Sequence, residues 1–361
     1  MSSTLEFSWQ ALSVVSGGSS VLDINYLELK SESEAYQFVL NYGFDLYEPG
    51  HCEQIQSIYL KSIDFLEKYI CNDGFQLPVA LKTISIQEDF KLLLLAVSAA
   101  SHPASETRFE AKLRPWICSI LRVMHVVSHL QSDLRLKYLP KIKRQTIDRL
   151  VAHIQQSESA IFLGFESDKV PLVAFHRKES KVKDAVLMKL LHKPSATAQE
   201  VYDHIGVRFV TKNRVDAIRV IQYLVDHHLI AYPNVMSVRC RNTLVDISEF
   251  QKLCEEMKGN LESMNLAETS LKYPKSKEGV NPFSAEDFRS IQFTARHLIR
   301  IPVIRKGGLR REMTFFFPVE IQIFDEESYK TTIGGEAAHD AYKQKQLGAV
   351  RQRVLRGVPP L

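Results

Sequence analysis

Glu320 and Asp203 stand beside short apolar runs, where a carboxylate could take part in metal or phosphate chemistry. Glu320 lies in VEIQIFD and Asp203 in EVYDHIGVRFV. Alternate side chains of a strand share a face, so Glu320 and Gln322 should point away from the core side that Val319 and the isoleucines form. A carboxylate on a central strand is costly unless it binds a metal, a base or a substrate. Taken alone, the fragment is more often the exposed face of an edge strand.

Basic residues accompany both carboxylates along the chain. Arg208 falls on the polar face of the predicted strand IGVRFV, and Arg289 begins the fragment RSIQF. Lys181 and Lys183 belong to a basic set on one predicted helix. Arginine suits bidentate phosphate contacts, whereas lysine acts as a point charge. Individually, Asp203 fits a strand or helix terminus, and the lysines fit a solvated face.

The elements that must position these residues change in character near residue 159. Residues 31 to 150 show helical spacing, with Ser31 before one helix and Gly43 as its stop. AIFLGF and VPLVAFH then indicate a β-hairpin, IGVRFV a strand and VDAIRVIQYLVDHHLI a helix. RSIQFTARHLIRI and MTFFFPVEIQIF are long strand candidates, and EAAHDAYKQKQ is a last helix. We therefore predict a helical domain at 1–155, an α+β domain at 156–345 and a basic tail at 346–361.

Composition excludes several classes of protein. The chain has 361 residues, 45% of them hydrophobic, and a net charge of +4, which does not by itself imply nucleic acid. Its five cysteines form no CxxC pair, so we expect reduced thiols. The longest apolar run, Leu92–Ala100, is shorter than the roughly 20 residues that cross a bilayer. With no signal-peptide pattern, we expect a cytoplasmic protein without membrane contact.

The order and spacing of these fragments resemble the synthetase domain of the RelA/SpoT-type (p)ppGpp synthetases. The matching segments are KVK at 181–183, DHIGVR at 203–208, DFRSIQ at 287–292, EIQIFD at 320–325 and GEAAHDAYK at 335–343. The last segment is the most specific, because His339, Tyr342 and Lys343 keep the family's register. The resemblance covers about residues 160–345, and the segment before Ser159 does not take part.

The resemblance implies a nucleotidyltransferase-like mixed β-sheet flanked by helices. It also implies a bacterial pyrophosphokinase of the stringent response, which moves a pyrophosphoryl group from ATP to the 3′-hydroxyl of a guanosine nucleotide. Asp203 would hold Mg²⁺, and Glu320 would act as general base or second metal ligand. The nucleotides would be bound by Lys181, Lys183, Arg208, Phe288, Arg289, Gln322, His339 and Lys343.

The departures from the family pattern cluster around the acceptor. Lys181 replaces the usual first arginine, and Asp287-Phe288 replaces a Gly-Tyr pair. Gln292 replaces a histidine, and Phe324-Asp325 replaces an Arg-Thr pair. Two alternatives therefore stay open. One is a catalytically degenerate nucleotide-binding or regulatory module, and the other is a synthetase-like toxin that pyrophosphorylates tRNA.

The N-terminal half has one other pair that invites a metal interpretation. His125 and His129 are four residues apart, but Val126 stands where a metalloprotease helix needs glutamate, so a packed pair is the better interpretation. We interpret this half as a regulatory or docking domain, through which the chain could contact a partner protein or form a homo-oligomer.

Overall fold

The computed structural model describes residues 8–72, 74–98, 108–178, 183–192, 205–267, 271–274, 289–304, 310–333 and 336–360. The chain divides into two compact units. The helical unit comprises Met1–Asp133, Val182–Glu200 and Gln344–Leu361, and the sheet unit comprises Leu134–Lys181 and Val201–Lys343. Among the described residues, no helix combines the length and the apolar character that crossing a membrane requires.

The described part of the helical unit is built from α-helices, as the helical spacing of the sequence predicts. Its helices are α1 (Trp9–Val15), α2 (Glu32–Asn41), α3 (Pro49–Phe65), α4 (Ile86–Ala96) and α5 (Arg114–Ser132). The side chain of Ser31 accepts a hydrogen bond from the backbone of Glu34 and caps α2. Gly43 follows this helix with a φ of 99°, so both predicted ends of α2 are confirmed.

Later segments of the chain return to the helical unit. Helix α8 (Lys183–His192) contributes Asp184, whose Oδ2 accepts hydrogen bonds from Tyr69 (2.8 Å) and Lys68 (3.2 Å). The last helix, α13 (Glu336–Val354), extends past residue 346, where the predicted basic tail begins. Arg353 near its end pairs with both carboxylate oxygens of Asp23 at 2.8 Å. These contacts tie widely separated parts of the sequence into one unit.

The sheet unit is built on a seven-stranded mixed sheet with the order β1-β2-β3-β4-β7-β6-β5. Its described elements are α6 (Leu134–Lys137), α7 (Leu139–Val151), β1 (Ile154–Gln156), β2 (Ile161–Leu163), β3 (Val170–Lys178), β4 (Gly206–Thr211), α9 (Arg214–Asp226), β5 (Arg241–Asn242), α10 (Ile247–Glu256), α11 (Leu261–Leu266), β6 (Ile291–Ile304), β7 (Arg310–Asp325) and α12 (Glu326–Ile333). Strands β4 and β7 are parallel, and the remaining neighbours are antiparallel. The predicted α+β class and the β2–β3 hairpin are confirmed, and the two long strand candidates form β6 and β7, which pair with each other.

One face of the sheet forms the core of this unit. Val207, Phe209, Ile321 and Ile323 are almost fully buried there, in a cluster that includes apolar residues of α9 such as Val220. The alternation predicted for β4 and β7 is therefore confirmed. The edge-strand alternative for β7 is wrong, because β4 and β6 pair with it on either side.

Candidate functional site

Glu320 lies on the sheet face opposite the core, in the middle of the sheet. On β7 it pairs with Gly206 of β4 on one side and with Thr294 of β6 on the other. Its side chain is only 8% exposed. The Nε2 group of Gln292, on β6, donates a hydrogen bond to Glu320 Oε1. The sequence thus places a buried carboxylate between two strands, with an amide donor against one of its oxygens.

Gly206 makes the close approach of β4 to Glu320 possible. A Cβ atom at Gly206 would lie 2.5 Å from the backbone oxygen of Glu320 and 3.1 Å from its Cβ. The backbone nitrogen of Glu320 also donates to Ile205 O at 3.1 Å. A glycine inside a strand often marks such an approach of two backbones, and this signal was missed in the sequence.

The next row of side chains along the same face centres on Arg208. Its Nε and Nη2 atoms donate to Gln322 Oε1 at 3.2 and 3.0 Å. The guanidinium carbon lies 5.3 Å from the centroid of the Phe324 ring and 5.8 Å from that of Tyr329, so two aromatic rings flank the cation. The structure therefore brings Arg208 and Gln322 together, as two members of the predicted set.

His176 extends this row onto β3, where it pairs with Arg208. Its Nε2 atom lies 2.6 Å from the hydroxyl of Tyr329, and the two rings stack at 5.6 Å. Partial burial, followed by the positive charge of Arg208, lowers the pKa of His176. The imidazole is therefore held toward its neutral form beside a permanent cation. Neither His176 nor Tyr329 was predicted from the sequence.

Arg289, another predicted nucleotide-binding residue, belongs to a separate group. Its guanidinium lies 4.9 Å from the ring centroid of Tyr273, and Arg214 lies 5.0 Å from the same ring. Burial raises the pKa of Tyr273, which keeps its hydroxyl protonated at neutral pH. Arg289 and Arg214 therefore share one aromatic ring, and the sequence showed no periodic signal for this group.

The other predicted site residues are not described. Asp203, Lys181 and Phe288 lie outside the described residues. Lys183 begins α8, and His339 and Lys343 fall within α13, but these three side chains are also outside the described part. Within the described residues, no group of three or more His, Cys, Asp or Glu side chains is arranged to hold a metal.

The histidine pair of the helical unit packs as the sequence suggested. The rings of His125 and His129 are 4.5 Å apart, and His125 Nδ1 is hydrogen-bonded to the hydroxyl of Tyr42. Burial, with a smaller effect of His129, lowers the pKa of His125 to about 4. This imidazole is therefore neutral at physiological pH.

Comparison with known proteins gives fold-level likenesses alone. No family model matches the chain, and no curated protein matches it in sequence. Among solved structures, small alarmone synthetase 1 from Bacillus subtilis is 13% identical, with a TM-score of 0.30 over 62% of this chain and 90% of that one. Small alarmone synthetase 2 from the same organism is 13% identical, with a TM-score of 0.26 over 51% and 73%. A third, synthetase 1 bound to its product pppGpp, is 14% identical, with a TM-score of 0.26 over 64% and 87%. Likenesses this weak do not establish a shared activity.

Proposed function

We propose that the sheet unit binds ATP and a guanosine nucleotide and transfers a pyrophosphoryl group from ATP to the nucleotide's 3′-hydroxyl. One observation carries the proposal. Glu320 is a carboxylate that is buried on a central strand, on the sheet face opposite the core. The guanidinium of Arg208 lies in the next row of side chains on that face. An acid and a cation in adjacent rows of one sheet face suit a reaction that joins a hydroxyl to a phosphate.

Burial of Glu320 is the physical argument for a chemical role. Removing a carboxylate from water is unfavourable unless partners replace the lost hydration. The Gln292 amide donates a hydrogen bond to one of the Glu320 oxygens. Carboxylate oxygens in such a position can also bind a divalent cation or accept a proton from a substrate hydroxyl.

The chemistry of the donor set fits Mg²⁺, which prefers carboxylate oxygens. Glu320 would hold the ion together with Asp203, as the motif resemblance implies. When bound, Mg²⁺ neutralises charge on the phosphate oxygens. Glu320 would also orient the acceptor hydroxyl and accept its proton, with Gln292 fixing the rotamer of the carboxylate.

The cations and aromatic rings would bind the nucleotides. Arg208 presents a planar guanidinium suited to phosphate oxygens, and its two hydrogen bonds to Gln322 fix the orientation of this group. Phe288 would stack on the acceptor base. The remaining phosphate contacts would come from Lys181, Lys183, Arg289, His339 and Lys343.

A nucleotide-binding module without catalysis is the second candidate. It is favoured by the mutual hydrogen bonding of Glu320 with Gln292 and of Arg208 with Gln322. Side chains that are hydrogen-bonded in such pairs can keep the binding face in a fixed conformation without catalysing a reaction.

The deciding experiment incubates the full chain with γ-labelled ATP, Mg²⁺ and either GDP, GTP or tRNA. We expect AMP release with label on GDP or GTP, lowered at least about 100-fold in Glu320→Gln and in Asp203→Asn. Glu312→Gln is the matched control, because Glu312 lies on the same strand in an exposed ion pair with Arg300. Label on tRNA would identify tRNA, and not a guanosine nucleotide, as the acceptor. No turnover, with ATP still raising the melting temperature, would favour the binding module.

A further inference from the structure

The helical unit contains an apolar cavity of about 150 Å³ that has no part in the proposed reaction. Helices α2, α3, α4 and α5 surround it, and the segment from Val21 to Leu27 closes one side. All of its lining residues belong to the first 133 residues. Spaces between packed helices are frequent ligand sites in helical proteins.

The walls of the cavity are apolar and rigidly placed. Ile55, Ile58, Phe90, Leu94 and Met124 line it and are each at most 6% exposed. Protein interiors are close-packed, with few voids larger than a water molecule. A mainly apolar space of this size offers water few partners, so it favours an apolar occupant.

The mouth of the cavity is also apolar. Val21, Tyr26, Phe38 and Tyr42 line it and are 36–41% exposed. Exposed apolar side chains beside a cavity are a feature of binding sites. They give an apolar molecule apolar surface on the solvent side of the cavity.

The polar side chains named in the lining make hydrogen bonds within the wall. Arg122 donates to the backbone oxygens of Leu22 (2.9 Å), Ile24 (3.0 Å) and Val354 (3.1 Å), so its guanidinium is used to fix the wall. His125 and Tyr42 are hydrogen-bonded to each other. Burial lowers the pKa of the imidazole to about 4 and raises that of the phenol to about 12, so both are neutral at physiological pH.

We propose that this cavity binds a small uncharged apolar molecule, about the size of a substituted benzene ring. The size follows from the volume, because a comparable cavity lined by Leu, Ile and Phe accepts benzene. The preference for an uncharged ligand follows from the mainly apolar lining and from the neutral Tyr42–His125 pair, while the N–H groups of Arg122 point to backbone oxygens.

The test uses toluene as the probe and benzoate as a charged molecule of similar size. The full chain is labelled with ¹³C-methyl methionine, and the Met124 resonance is assigned by Met124→Leu. We expect toluene to shift this resonance saturably and to raise the melting temperature, while benzoate does neither. No response to toluene would overturn the proposal.

Two tryptophan variants locate the binding. Leu121 lines the cavity, so Leu121→Trp should fill it and abolish the toluene response. Leu60 on α3 is 50% exposed and outside the lining, so Leu60→Trp should respond like the parent chain. Equal responses in both variants would contradict the assignment.

A third variant covers the case in which Leu121→Trp does not fold. Leu94→Ala enlarges the cavity, so it should bind butylbenzene at least about tenfold more tightly than the parent chain does. An unchanged preference between toluene and butylbenzene would count against a ligand in this cavity.

Discussion

Two arginines, one in each unit, use their guanidinium groups in different ways. Arg122 of the helical unit is buried and donates to backbone carbonyls of two segments that are remote in sequence, one holding Leu22 and Ile24 and the other Val354. Arg208 of the sheet unit is half-buried, donates to the side chain of Gln322 and lies against two rings. A carbonyl in a wall cannot turn to a new partner, whereas a side-chain amide can. Arg122 is therefore a structural residue, and Arg208 is able to exchange its partner for a phosphate.

The same contrast extends to the surroundings of the two residues. The space beside Arg122 is lined mainly by apolar groups, and the N–H groups of Arg122 point to backbone oxygens. The face around Arg208 and Glu320 carries polar side chains in adjacent rows across several strands. This difference is the reason that we propose an uncharged ligand for the helical unit and nucleotide phosphates with a metal for the sheet face.

Replacing Arg122 by methionine gives the largest expected effect. Arg122→Met removes the donor to Leu22 O and Ile24 O and one of the two donors to Val354 O in a buried wall, so we expect the free energy of unfolding to fall by about 3–5 kcal/mol. Urea unfolding measures it, with the fluorescence of Trp116 on the same helix as the probe. Arg356→Met is the control, because Arg356 is exposed and has a 3.3 Å bond to Asp23 O. Equal losses in the two variants would contradict a structural role for Arg122.

Gly206→Ala should have the next largest effect. The added Cβ would lie 2.5 Å from a backbone oxygen, so β4 and β7 must separate, at a cost of about 2–3 kcal/mol. Because the displaced residue is Glu320, pyrophosphoryl transfer should fall as well. Gly348→Ala on α13 is the matched control. A Cβ there meets nothing within 4 Å, and alanine favours a helix by up to about 1 kcal/mol. A stable, fully active Gly206→Ala would show that the close approach is unnecessary.

Much of the sheet face could be predicted from the sequence, because alternation determines which side chains share a face. Val207 and Ile321 in the core, with Arg208 and Gln322 opposite, follow from a period of two. The position of β7 between two other strands could not be predicted, since the sequence fragment taken alone favours an edge strand.

Contacts made by remote segments were also beyond sequence reasoning. Tyr329 reaches Arg208 because α12 follows β7 directly and turns back over the sheet, and His176 joins from an antiparallel strand. The cavity of the helical unit was missed for the same reason. Its lining residues each fit an ordinary core position, and the space between them depends on how four helices pack.

A buried histidine in the sheet unit should make stability depend on pH. Burial, and then the charge of Arg149, lowers the pKa of His297 to about 4, from an ordinary value of 6.5. Between these values the unfolded chain binds a proton that the folded chain does not. The contribution of neutral His297 to the free energy of unfolding is therefore complete above pH 6.5 and is lost as the pH falls toward 4.

His297→Leu tests this directly. At about 1.4 kcal/mol per pH unit, one such histidine lowers the free energy of unfolding of the parent chain by about 2 kcal/mol at pH 5. His297→Leu should not show this loss. Urea unfolding at pH 7 and pH 5 measures the difference. His297→Gln should remove the same pH dependence, while the pH dependence due to His125 in the helical unit remains. An unchanged slope in both variants would show that His297 titrates normally.

Arg208→Met gives the smallest expected effect on stability and separates the two arginines most clearly. Arg208 is half-buried and bonds one side chain, so its loss should lower the free energy of unfolding by about 1 kcal/mol, well below the effect of Arg122→Met. If its guanidinium binds phosphate, ATP affinity should fall about 10–100-fold in calorimetric titrations. Arg300→Met, in an exposed ion pair with Glu312, should leave affinity unchanged. A large loss of stability with unchanged ATP affinity would make Arg208 structural like Arg122, because only a residue that can release its partner is available to a ligand.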